Sequence, residues 1–295
     1  VYKRQVHSGS SVTNYEFPPG SGRHLPINHR GFDNFLFTMH WLKTNHSDIV
    51  PVKILTAGSS AGSYGAALNY PWVREFYPDA DKIFLVGDGG VGVLQGTHEF
   101  PNAVFGESSV WNIDDTLHLL LTSVPDTAID DPELFIPEVY NRLRAEYPKD
   151  KFAQYSTAYD AVQILFWDIM LNPNDPGAWG HGLANPGFIG EWSTNMRLLD
   201  IGLQNADLPD NYRSYIAAGC NHTIFRFDDD FYTTSLSLSS GEEVSFIQWL
   251  AGMTGGKDGD KTDWQNLSCI PGFNCGQQNL TAIGINACLS RTFQN

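Results

Sequence analysis

The chain has 295 residues, 42% of them hydrophobic and 17% charged, a balance that excludes an intrinsically disordered protein. A net charge of −15 would repel phosphate backbones, so nucleic acid is not expected as a partner. No stretch approaches the roughly 20 consecutive apolar residues of a membrane helix, and no basic segment followed by an apolar run opens the chain.

In chain order, Phe32, Phe35, Leu36, Met39 and Leu42 recur at helical spacing, which predicts an amphipathic helix from Gly31 to about Asn45. Val52 to Ala57 predicts a strand, Gly58-Ser59-Ser60-Ala61-Gly62 a sharp turn, and Tyr64 to Tyr77 a helix interrupted by Pro71. A second buried strand, Lys82 to Val86, stops at Gly87-Asp88-Gly89-Gly90. Within 95–150, Val110 to Leu121 and Glu133 to Glu146 predict helices of a cap over the sheet. Phe152 to Thr157 predicts a third strand and Ala161 to Leu171 its helix. The Pro- and Gly-rich stretch Asn172 to Gly190 predicts a long loop, within a second pocket insertion over 172–200. Ser214 to Ala218 predicts a fourth strand leading to Gly219-Cys220-Asn221-His222, and Ser245 with Gln248 predicts a capping box that opens a last helix. Strands alternating with helices predict an α/β class, with one mostly parallel sheet covered on both faces in a single domain spanning 1–295.

Of the four cysteines, Cys269 and Cys275 enclose a Pro-Gly turn, which leaves Cys220 and Cys288 to pair over a long loop. Buried free thiols are the alternative. Two disulfides would place the protein in an oxidising compartment, secreted or periplasmic.

Gly58-x-Ser60-x-Gly62 between an apolar strand and a helix matches a nucleophile elbow, in which a strained turn lifts the serine Oγ above the sheet. The base and its orienting acid should then follow in the order serine, acid, histidine, each just past a strand end. Ser60 lies three residues after Ala57, Asp160 three after Thr157 and His222 four after Ala218, which would bring all three to one edge of the sheet. The remaining histidines precede the serine or follow no strand end. Asp168 lies mid-helix and ranks below Asp160, and Asp88 stands too early for the acid but could line the pocket or anchor a loop. Ser59 and Trp167 complete the expected pocket.

Gly87-x-Gly89-x-x-Gly92 follows a strand as a dinucleotide fingerprint does, yet Gly96 and Pro101 leave no long helix after it, so no cofactor is expected. Asp228-Asp229-Asp230 and Asp258-x-Asp260 do not complete a calcium loop, and no metal is expected.

Gly58-Ser59-Ser60-Ala61-Gly62-Ser63-Tyr64-Gly65 resembles the GSSAGG-x-G motif of the pectin acetylesterase and Notum family of serine carboxylester hydrolases. Ala158-Tyr159-Asp160-Ala161-Val162-Gln163 is similar to the family's acid segment, and Asn221-His222-Thr223-Ile224-Phe225 to its bacterial histidine segment. The resemblance extends over about residues 6–253 and includes the glycine run at Gly87 to Gly92. It implies an α/β-hydrolase fold, a catalytic set of Ser60, Asp160 and His222 with the Ala61 N–H as oxyanion donor, no cofactor, and an acetylated polysaccharide substrate. The family's upstream Gly-Gly-x-Cys loop has no counterpart here, so an N-terminal truncation that removes one oxyanion donor is expected. Trp111, Trp167, Trp179 and Trp192 would equally suit a lipid acyl chain or a polyester, and a non-catalytic binding protein on the same scaffold is the rival from another class.

Overall fold

The computed structural model describes residues 11–16, 21–94, 116–124, 131–173, 175–237, 241–255, 264–271, 274–275 and 282–293. An antiparallel hairpin, β1 (Ser11–Glu16) and β2 (His24–His29), leads into α1 (Gly31–Asn45). The chain then alternates: β3 (Lys53–Ser59), α2 (Ala61–Phe76), β4 (Lys82–Asp88), α3 (Phe135–Glu146), β5 (Lys151–Thr157), α4 (Ala161–Leu171), α5 (Pro186–Asn205) and β6 (Tyr212–Ala217). It closes with α6 (Asp228–Thr233), the ribbon β7 (Ser235–Ser237) and β8 (Glu243–Ser245), α7 (Phe246–Thr254), β9 (Leu267–Ser268) and α8 (Ala282–Phe293). The main sheet has five strands in the order β3-β4-β5-β6-β9, and every pair in it is parallel. The α/β class with helices on both faces is the architecture expected from the alternating pattern.

Alternation along the central strands explains the two cores. Phe84 and Val86 of β4, with Ala153 and Tyr155 of β5, face one cluster shared with Ile164, Trp167, Trp192, Met196, Phe246 and Trp249. Ile83 and Leu85, with Phe152 and Tyr212, face the other, shared with Leu68, Tyr70, Val139 and Leu143. Strands covered on both faces need no polar alternation, and β4 and β5 accordingly read as continuous buried runs. At the edge of the described sheet, β3 alternates between exposed and half-buried residues.

Several boundaries depart from expectation. The helix after the elbow begins at Ala61 and continues through Pro71, because burial of Leu68, Tyr70 and Val73 outweighs the backbone hydrogen bond that proline cannot donate. The stretch expected as a loop to Gly190 instead starts a 20-residue helix at Pro186, capped by Asn185, whose side chain accepts from the Gly187 and Phe188 amides. The capping box at Ser245 and Gln248 is formed, but α7 is not the last helix: α8 follows it. Half of the helix expected over Val110 to Leu121 lies outside the described residues, and the end of the other half forms a 3-10 turn at Leu119–Leu121.

The flanking helix α2 is tied to the sheet by a buried ion pair. Asp150, just before β5, accepts from Arg74 Nε at 2.9 Å and Nη2 at 2.5 Å and from the Ile83 amide at 2.9 Å, with its side chain 1% exposed. Asp150→Ala would leave a guanidinium and an amide without their acceptor, so we expect a loss of about 3–5 kcal/mol, read as a lower urea midpoint; an unchanged midpoint would show the pair to be dispensable.

Candidate active site

The site forms where the parallel strands end. Ser60 adopts φ 57° and ψ −127° between β3 and α2, a strained non-glycine conformation that turns the chain sharply from strand to helix. Gly58 is required there because a Cβ on it would stand 1.9 Å from the Gly62 carbonyl oxygen. The Ser60 amide donates to the Asp88 carbonyl at 2.7 Å, fixing the elbow to the end of β4. Ala61 opens α2, so its N–H is one of the first-turn donors that have no acceptor within the helix.

Asp160 caps α4. Its Oδ1 accepts from the Val162 and Gln163 amides at 3.1 and 3.0 Å, and its Oδ2 accepts from Gln163 Nε2 at 2.9 Å. His222 Nδ1 lies 2.9 Å from both carboxylate oxygens, and the side chains are 5% and 0% exposed. A carboxylate only accepts, so Nδ1 carries the proton and Nε2 is left as the acceptor nitrogen. That Nε2 is buried and has no hydrogen-bond partner among the described residues. Burial works against the imidazolium, but the charge of Asp160, its hydrogen bond and the charge of Asp88 together hold the His222 pKa above its ordinary 6.5.

The backbone brings the histidine loop to this edge. Ala158 donates to the Ala217 carbonyl, Tyr159 to Gly219 and Ala161 to Cys220, while Thr157 Oγ1 donates to the Asn221 carbonyl. Gly89, at φ +66°, passes against the imidazole, where a Cβ would come 3.1 Å from His222 Cε1 and 2.9 Å from Thr223 Cγ2.

The serine, acid and histidine picked from strand-end spacing therefore converge on one edge, with Asp160 and His222 in direct contact. The residues expected to line a pocket have partners of their own. Ser59 donates its hydroxyl to Asp88 Oδ2 at 2.7 Å, Asp88 is wholly buried, and Trp167 is closed into the core beside Phe188. Asp168 accepts from the Gly180 and Gly182 amides and shapes the turn before α5. Trp192 is buried, Trp179 is partly exposed, and Trp111 lies outside the described residues, as do Asp258 and Asp260. Gly89 to Leu94 is irregular, so the glycine run opens no helix there, and Asp230 pairs with Arg291. Sequence reasoning gave no role to Gln163 beside Asp160, although an acceptor followed three residues later by Gln has the capping-box spacing. Nor did it find the left-handed Thr223, at φ 63°, beside the histidine. No protein-family model matches the chain, and a search of curated proteins finds no matching relative.

Both expected disulfides are present: Cys269–Cys275, and Cys220–Cys288, which ties the histidine loop to α8 with a Cα separation of 5.9 Å. Closing a loop of 68 residues stabilises by about 4 kcal/mol on chain-entropy grounds. Alkylation of the denatured, unreduced protein should add no label by intact mass, and reduction should lower the melting temperature; four labelled thiols would refute both bridges.

Proposed function

We propose that the protein is a serine carboxylester hydrolase. The observation that carries this reading is the buried imidazole, oriented at Nδ1 by Asp160 and unpartnered at Nε2, at the same sheet edge as a strained serine elbow. Ser60 Oγ attacks the ester carbonyl while His222 Nε2 takes its proton. The Ala61 N–H, at the positive end of α2, stabilises the oxyanion, and His222 returns the proton to the departing alkoxide. Water then repeats the sequence on the acyl-enzyme, and every proton moved is held on Nε2 between steps. The resemblance of the three motif segments to pectin acetylesterases supports acetylated glycans as the substrate class. Two disulfides point to an oxidising compartment and support a secreted or periplasmic site of action. No helix among the described residues is long and apolar enough to cross a membrane.

Ser60 is the decisive position. An organophosphate should label it once per chain, located by mass spectrometry, and Ser60→Ala should reduce release of p-nitrophenol from its acetate ester, and of acetate from acetylated pectin and xylan, to background. Turnover retained by that variant would sink the assignment, and a saturable glycan isotherm without labelling would favour a binding protein. Preference for acyl chains longer than about four carbons would move the substrate class to lipid or polyester.

The pH profile follows from His222. A general base acts only when neutral, and its pKa lies above 6.5, so kcat/KM should rise with pH and reach half its plateau above that value. A half-maximum well below it would remove His222 as the base.

A further inference from the structure

Asp88 is the buried carboxylate at this edge that the proposed reaction leaves without a role. It ends β4, in register with Ser59 on β3 and Tyr155 on β5, and is fully buried. Oδ1 accepts from the Ile224 amide at 2.8 Å, and Oδ2 accepts from the Phe225 amide at 3.1 Å and the Ser59 hydroxyl at 2.7 Å. Its own carbonyl takes the Ser60 amide. One residue therefore holds both sides of the site: Ser59 and Ser60 on the elbow, and the two amides that follow Thr223, the left-handed residue next to His222.

A carboxylate is a costly way to accept three neutral donors. Among the described residues no lysine or arginine pairs with Asp88, so the buried charge is not repaid by an opposite one in contact. Burial accordingly pushes its pKa up to about 6, against the Ser59, Ile224 and Phe225 hydrogen bonds and the His222 charge, which favour the ionised form. The negative charge in turn favours the His222 imidazolium. The other groups that face this region are Tyr155 from β5, kept neutral by burial, Asp160 from α4, and Arg226 and Asp230 from the segment after the histidine.

We infer that Asp88 is a positioning residue that locks the histidine loop to the nucleophile elbow, and that its charge supports the imidazolium formed at His222. Protonation would turn one acceptor oxygen into a donor facing amide N–H groups and would release part of that lock. The inference rests on the hydrolase reading. It adds that a second carboxylate, remote from the Asp160 contact, must be ionised for the site to be assembled.

The test is the pH dependence of p-nitrophenyl acetate hydrolysis by the wild type, Asp88→Asn and Ser59→Ala. In Asp88→Asn, kcat should fall about 10- to 100-fold through misplacement of the base, with KM changed less than about twofold. The acid limb of kcat/KM should go from uptake of about two protons in the wild type to about one in the variant, and the pKa assigned to His222 should move down. A residue that merely filled space would lower activity without changing the proton count or that pKa. Should Asp88→Asn fail to fold, Ser59→Ala decides, because losing the hydroxyl donor raises the Asp88 pKa and should start the steeper part of the limb at higher pH. An unchanged profile in either variant overturns the inference. Labelling of wild-type Ser60 separates the two claims: a labelled enzyme with unaltered variant profiles refutes Asp88 alone, whereas an unlabelled one removes both.

Discussion

Parallel pairing is the constraint on which the site depends. In a parallel sheet every strand delivers its following loop to the same edge, and the register makes that delivery nearly level: Ser59 sits beside Asp88, Asp88 beside Tyr155, and Thr157 beside Ala217. Ser60, Asp160 and His222 follow these partners by a few residues each. Four neighbouring strands thus bring together residues up to 162 positions apart, and the short bonds from the 158–161 turn to the carbonyls of 217–220 take up the remaining difference in height.

The chain carries a net charge of −15, and four of its buried carboxylates stand in different surroundings. Asp150 meets a guanidinium and joins a helix to the sheet. Asp200 is surrounded by Ser214, Tyr212 and Gln204, neutral donors that offset only part of the burial that raises its pKa. Asp160 accepts from two amides at the N-terminus of α4, from the Gln163 side chain and from the imidazole of His222. Asp88 has three neutral donors and a neighbouring histidine. The two carboxylates near His222 are therefore unequal: Asp160 accepts from a helix end and from the imidazole itself, and Asp88 from three neutral donors.

How much of this was legible in the sequence depends on how local the cause is. Gly58-x-Ser60-x-Gly62 after an apolar run is a local pattern with a steric reason, and the elbow formed where it stood. The contact between Asp160 and His222 follows from strand ends, which are local too. The helix from Pro186 departs from the loop that its proline and glycine content predicts, although Asn185-Pro186 has the cap and first-turn residues of a helix start and Ile189, Trp192, Met196 and Leu203 have its buried spacing. The hairpin at 11–29 and the helix carrying Cys288 were missed as well. At Asp88 the sequence offers a loop anchor but not the loop, since its amide partners are 136 and 137 positions away and nothing in the Gly-Asp-Gly run indicates them.

The histidine loop shows why such distant restraints are present. Thr223 is β-branched and left-handed, a conformation that costs on the order of 1–3 kcal/mol and survives only when its surroundings leave the backbone no alternative. Two residues before His222 the chain is fixed through Cys220 to α8, one residue before it the Asn221 carbonyl is held by Thr157, and two and three residues after it Asp88 takes the Ile224 and Phe225 amides. Anchors on both sides of a strained residue leave the imidazole little room to rotate away. An imidazole held this way can keep Nδ1 on Asp160 while Nε2 stays buried and, among the described residues, unpaired, a state that a freely moving loop would relax by exposing the ring to water.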